Sequence, residues 1–267
     1  MTNRIRRPHG ASSCPLLRQL GTAALLVLGL HGGAAAGQER LAPPAGQASA
    51  FSSGASSGIL SLPPASDRRP AGIVVVMHDA LGPDQRSARY VDQLLGARIA
   101  VVEMQLAEHG AASLATVLAG LADDPRTQGL RIGVLGFGAG ALVAGRLEGP
   151  VVGRALLYPG CQSLALPDNA GPHAVFLAHG TEDAANATDA CAAAASRLTR
   201  AGMTVRHLVY ADAGYAWDHP AYGMEQRILL PRPDGGGRIP VAPWPELTAM
   251  AASQVAAFFS AAFQAVP

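Results

Sequence analysis

Short, almost wholly apolar runs alternate with helix-period segments along most of the chain. GIVVVM (72–77), RIAVVEM (98–104), RIGVLGF (131–137), RALLYP (154–159), HAVFLAH (173–179) and TVRHLVY (204–210) have the length and β-branched content of strands. Helical patterns fall between them over about 87–95, 111–122, 139–147 and 189–201, with a last one over about 245–263. Strands without a polar face are buried on both sides, and alternation with helices joins them in parallel. The pattern therefore predicts an α/β domain, a three-layer, doubly wound and mostly parallel sheet opened by a short strand at GILSLP (58–63). Ligands in such sheets sit beyond the carboxyl ends of the strands. LLPRPDGGGRIPVAPWP (229–245), with five prolines and three successive glycines, reads as a long surface loop.

The chain before this pattern is of a different kind. Arg4, Arg6, Arg7 and Arg18 precede the apolar run GTAALLVLGL and then Ala34-Ala35-Ala36, which reads as a secretory signal peptide over 1–36, cleaved before Gly37. A membrane anchor needs about 20 apolar residues, and this run has half that, so the protein is expected in the periplasm or outside the cell, without an integral membrane anchor. Residues 37–57, rich in Ala, Gly, Ser, Pro and Gln, read as a flexible leader to one domain over 58–267.

Cleavage removes four of the 20 basic residues and none of the 19 acidic ones, moving the formal charge from +1 to −3. Nothing basic is left to favour nucleic acid. The sequence contains no lysine, which excludes a P-loop lysine, a Schiff base and a Ser-Lys dyad. Eight histidines lie scattered without metal-ligand spacing, so no metal is expected. Cys14 leaves with the signal; Cys161 and Cys191 remain, as one disulfide or as two buried thiols.

The turn RIGVLGFGAGALVAG (131–145) carries two readings. Gly136, Gly138 and Ala141 satisfy G-x-G-x-x-A, a dinucleotide fingerprint. The strand after it, RALLYPG, ends without the acid that would hold a ribose, so no cofactor is expected. The other reading is a strand-turn-helix elbow, G-x-nucleophile-x-G, in which small flanking residues let strand and helix approach. Nucleophile, acid and histidine should then follow in that order; Asp183 in AHGTEDA and the turn ADAGYAWDHP occupy the places of the acid and the histidine.

VVVMHDALG, DDPRTQGLRIGVLGFGAG, RALLYPGC, FLAHGTEDA and VYADAGYAWDHP together resemble the dienelactone hydrolase family of the α/β-hydrolases, over about 58–219. Exported members of that kind also carry cysteines at the positions of Cys161 and Cys191. Two departures stand out. Gly138 lies where the family has a Cys or Ser nucleophile, and Tyr215 lies where it has histidine, whereas Asp183 matches the orienting acid.

A triad works because a carboxylate-oriented base deprotonates an oxygen or sulfur nucleophile. Losing nucleophile or base alone costs on the order of 10⁶ in turnover, and a phenol of pKa about 10 is a poor base at neutral pH. The resemblance with its departures implies a catalytically degenerate member that binds a small carbonyl or anionic ligand or a partner; the alternative is an ester or lactone hydrolase with a non-standard arrangement. The Ala139 amide at a helix N-terminus, with an amide from the loop at Asp79 and Ala80, is expected to form an anion pocket. His78 and Asp79 border it, as ligand-positioning groups or as a strand-end pair bonded to the loop. Tyr215 is read as a ligand donor or an aromatic plug, His219 as structuring its loop or reaching the elbow, and His179 as packed. Arg86 and Arg89, at the start of a helix near the pocket mouth, are read as solvated surface, with meeting a carboxylate as the alternative. Restoring serine at 138 and histidine at 215 is expected to create ester hydrolysis, provided Asp183 and the amide pocket are aligned.

Overall fold

The computed structural model describes residues 47–105, 111–165, 173–220 and 228–265. The expected signal peptide and the first part of the leader lie outside them. The chain opens with an antiparallel hairpin, β1 (Gln47–Ser53) and β2 (Ser56–Leu62), followed by β3 (Ile73–Met77), α1 (Ala88–Gly96), β4 (Ala100–Gln105) and α2 (Ala111–Asp123). Next come β5 (Ile132–Phe137), α3 (Ala139–Arg146), β6 (Val151–Leu157), β7 (Ala174–Gly180), α4 (Thr188–Arg200) and β8 (Thr204–Tyr210). A small hairpin, β9 (Leu229–Pro231) and β10 (Arg238–Pro240), precedes the long helix α5 (Pro245–Gln264).

Eight strands form one sheet in the order β1-β2-β4-β3-β5-β6-β7-β8. β2 is antiparallel to both its neighbours, and every pairing from β4 to β8 is parallel. The apolar strands divide their side chains between two cores. Ile73, Val75 and Met77 of β3 join Leu114 and Leu118 of α2, Leu142 of α3 and Leu198 of α4 on one face. Val74 and Val76 join Tyr90 and Leu94 of α1 and Val255 and Phe259 of α5 on the other. This is the predicted three-layer architecture. α5 is the one helix among the described residues long and apolar enough to cross a membrane, and its Leu247, Ala251, Val255 and Phe259 are buried in the second core. Its aromatic rings lie close over the sheet: a Cβ placed on Gly72 or Gly133 would come within 2.7 Å of Phe263 or Phe259.

Two expectations need correction. The flexible leader is not free of structure, because 47–53 pairs with β2 along its whole length, with Phe51 opposite Gly58. Phe51 is the one buried residue of β1, so hydrophobic alternation gave no signal; the backbone ladder with β2 fixes the strand. The long loop also carries the β9–β10 hairpin, held down by buried Leu230 and Ile239.

Cys161 and Cys191 form a disulfide that ties the turn after β6 to α4. Beside it, the Asn186 side-chain oxygen accepts from the Gly160 and Cys161 amides, so the bridge also fixes the loop that carries Asp183. The cysteines are 30 residues apart, and on the chain-entropy account opening that loop costs about 3–4 kcal/mol. A Cys161→Ala/Cys191→Ala double variant should lose about that amount of unfolding free energy in urea titrations; a loss below about 1 kcal/mol would mean that the bridge does little for the folded state.

Candidate functional site

The elbow forms where β5 meets α3. Gly138 sits between them at φ +52 and ψ −117, a conformation that favours glycine. Neighbouring glycines are required by contact: a Cβ on Gly136 would run into the Ala141 backbone, and one on Gly140 into the Met77 and His78 carbonyls at the end of β3. The three alternating glycines thus serve one purpose, bringing strand, helix and the β3 loop together.

The expected vacancy at Gly138 is filled. A Cβ there would lie 2.6 Å from both carboxylate oxygens of Asp79 and would also strike the Tyr215 hydroxyl. Asp79 Oδ1 accepts from the amides of Ala80 (2.8 Å) and Ala139 (3.0 Å), the two donors expected to receive a ligand. Its Oδ2 accepts from the Tyr215 hydroxyl (2.8 Å) and from Arg86 Nη1 (3.1 Å). An internal carboxylate therefore holds the anion pocket, with a donor pair on each oxygen. It also holds the N-terminal amide of α3, where the dinucleotide reading would put a pyrophosphate.

Arg86 corrects another expectation. It is 2% exposed, buried under the loop after β3, and its Nε donates to both oxygens of Asp84 at 3.0 and 2.8 Å. Against the upward pull of burial, Arg86 holds the Asp84 carboxyl below its ordinary range. An arginine in a polar stretch carries no mark of burial in the sequence, and Asp79 and Asp84, which bond it, lie in the same stretch. Arg89 is exposed, as expected.

Tyr215 is 1% exposed. Burial first, then the charge and hydrogen bond of Asp79, raise its phenol far above the ordinary value, so it acts as a donor and not as a base. Behind it, Tyr158 and Tyr90 donate to Asp218 at 2.6 and 3.0 Å, and the Tyr158 ring packs edge-on against Tyr215 and Trp217. Burial pushes Asp218 up to about 6, against the pull of Arg86 and the two tyrosines. Neither tyrosine nor Asp218 was singled out as a site residue by sequence reasoning.

Asp183 accepts from the Ala185 amide (2.9 Å) and the Asn186 side chain (3.0 Å) within its own loop, and burial pushes it up to about 6. The structure thus brings Gly138, Asp79, Ala80, Ala139 and Tyr215 together, whereas the Asp183 carboxylate bonds to the Ala185 amide and the Asn186 side chain of its own loop. His78 lies with its ring beside Glu103. His219 bonds through Nδ1 to the Pro220 carbonyl, and His179 is packed with its Nδ1 on the Gly180 carbonyl and its Nε2 3.0 Å from His207.

Removing one partner of a buried ion pair leaves the other uncompensated, at a cost of about 3–5 kcal/mol. Asp79→Ala should lower the unfolding free energy by that amount, and a loss under about 1 kcal/mol would contradict the hub. Asp218 has a second signature. Its folded-state pKa lies above the unfolded one, so the folded state binds the proton more tightly between about pH 4 and 6, and wild-type stability gains as pH falls through that window. Asp218→Asn lacks this gain, so its stability deficit relative to wild type should be larger at pH 5 than at pH 7.5. A deficit independent of pH would contradict the raised pKa.

No family model and no curated protein matches the sequence. Solved structures do match in shape. The chain is similar to an esterase/lipase from an uncultured bacterium, with 13% identity, a TM-score of 0.59, and 84% of this chain covering 87% of that one. It is similar to a dienelactone hydrolase from Anabaena variabilis ATCC 29413, with 19% identity, a TM-score of 0.54, and 82% of this chain covering 98% of that one. A putative esterase from Staphylococcus aureus gives 12% identity, a TM-score of 0.57, and coverage of 82% and 84%. With the strand order and the elbow already described, these likenesses establish that the chain has the α/β-hydrolase fold.

Proposed function

We propose that this is an exported, catalytically silent member of the dienelactone hydrolase type, acting by binding and not by bond cleavage. One observation carries the reading: the Asp79 carboxylate occupies the space and the amide pair that a nucleophile and a substrate carbonyl would need. Acyl transfer requires an atom to attack, a base to activate it and free donors for the developing oxyanion. Gly138 supplies no atom, Tyr215 keeps its proton, and the donors already hold an anion.

The same observation narrows what the pocket binds. A carbonyl or carboxylate ligand at Ala80 and Ala139 has to displace an internal carboxylate bonded to both amides, to Tyr215 and to Arg86, so binding is expected elsewhere on the scaffold. The Cys161–Cys191 bridge is consistent with the periplasm or the cell exterior, where disulfides persist.

The purified protein should show no turnover of 4-nitrophenyl acetate or a simple enol-lactone above a folded control. Gly138→Ser with Tyr215→His should stay silent too, because the restored serine meets the Asp79 oxygens. Turnover by the wild type that disappears on changing Asp79, Tyr215 or Arg86 would overturn the reading. So would a double variant that hydrolyses the ester with Asp79 in place.

A further inference from the structure

The two edges of the sheet are protected differently. β1, at one edge, is made largely of Ala and Ser, and Arg126 lies along it, its Nη1 donating to the Ser49 hydroxyl at 2.8 Å and to the Ala50 carbonyl at 3.4 Å. β8, at the other edge, pairs with β7 alone among the described residues. Edge strands are ordinarily blunted by lysine, proline, a bulge or a cover. β8 contains neither lysine nor proline, and its register with β7 runs unbroken from Thr204 to Tyr210. Thr204, Val205, Val209 and Tyr210 are residue types that favour extended pairing.

The open backbone groups of β8 follow from the bonds it already makes. The Thr204 amide donates to the His173 carbonyl, and the Tyr210 carbonyl accepts from the Thr181 amide, so the even-numbered residues of β8 turn their backbone groups toward β7. That direction alternates along a strand, and Val205, His207 and Val209 therefore present their N–H and C=O groups to the open side. The long polar side chains leave this row clear. His207 leans onto β7, its Nε2 3.0 Å from that of His179, and the Arg206 guanidinium lies over the Phe176 ring of β7, 5.7 Å from its centre. Apolar surface flanks the strand end on the α5 side, with Val209, Trp244 and Met250 at 41%, 39% and 47% exposure. On the α4 side lies a groove of small side chains, Ala192, Ala195, Ser196 and Thr199.

Symmetry identifies the strand that fits. The three open residues are centred on His207, so β8 is complementary to itself. Turned about a two-fold axis at His207, perpendicular to the sheet, it sets His207 opposite His207, Val205 opposite Val209 and Thr204 opposite Tyr210 of a second copy. Every open backbone group is then used, in about six hydrogen bonds. Centred on Arg206 instead, the strand would set two arginines directly opposite each other, which is destabilising. Centred on His207, Arg206 comes opposite Leu208, and nearer to Glu246 of the second copy, which lines the groove beside Tyr210, than to its own. We propose that β8 is the contact strand of a homodimer, in which two copies of this chain join edge to edge, antiparallel about His207, into one continuous sheet. The proposal goes beyond the binding reading above and does not depend on the state of the elbow.

Sedimentation equilibrium of the purified protein tests it. The wild type should have twice the mass of one chain at micromolar concentration. Val209→Pro removes an outward N–H that β7 does not use, a place where edge strands tolerate proline; it should be a monomer with an unchanged circular-dichroism spectrum. Cysteine cross-linking reads the register, in a Cys14→Ser background with the Cys161–Cys191 bridge intact. His207→Cys should be joined across the dimer by a bismaleimide of about 8 Å span, since directly opposed residues of such a pair have Cα atoms about 5.5 Å apart. Thr204→Cys should not be joined, because the two-fold register sets its two copies about 20 Å apart. A monomeric wild type, a folded Val209→Pro dimer, failure to cross-link at 207, or cross-linking at 204 would each overturn the proposal. Where Val209→Pro fails to fold, the two cysteine variants decide by themselves.

Discussion

Four donors converge on the carboxylate of Asp79, and the rest of the site follows from that convergence. The amides of Ala80 and Ala139, the phenol of Tyr215 and the guanidinium of Arg86 come from three stretches of chain, the loop after β3, the start of α3 and the turn after β8, and all donate to one side chain. A helix N-terminus presents unpaired amides that favour an anion. Here the chain supplies that anion itself in Asp79, and glycine at 138 is the residue whose lack of a side chain makes room for it.

Tyr215 and Arg86 belong to one buried set around this carboxylate, Tyr215 donating to Asp79 and Arg86 to both Asp79 and Asp84. The residues around it make structural bonds. Asp183 organises its own loop through Ala185 and Asn186, and Asn186 in turn holds the backbone at the disulfide. Asp218 gathers Tyr90 and Tyr158 under the turn that delivers Tyr215. The carboxylates raised by burial to about 6 sit behind the elbow, joined to tyrosines and amides.

Much of this could be read from the sequence because apolar strands and the glycine turn obey local rules. GIVVVM and HAVFLAH are wholly apolar or nearly so, and both become interior strands paired on each side; Gly136 and Gly140 mark a close approach, and that is where the backbones touch. β1 escaped because its placement depends on its partner, with Phe51 alone turned inward. The missed part of the site has the same origin. Asp79 and Arg86 are seven residues apart in a polar segment, and nothing local tells a solvated pair from a buried one; only the distant arrival of Gly138 and Tyr215 makes the difference. The sequence singles out positions 138 and 215, and the fold shows the Asp79 carboxylate lying against both.

Amide hydrogen exchange at Ala139, followed by NMR, tests the central claim most directly. The first amide of a helix has no partner within the helix and exchanges freely unless something else accepts its proton. With Asp79 in place, Ala139 and Ala80 should be strongly protected, and Asp79→Ala should abolish that protection while the amides of β5 and β6 remain slow. Rapid exchange at Ala139 in the wild-type protein, or protection that survives the loss of Asp79, would contradict the account.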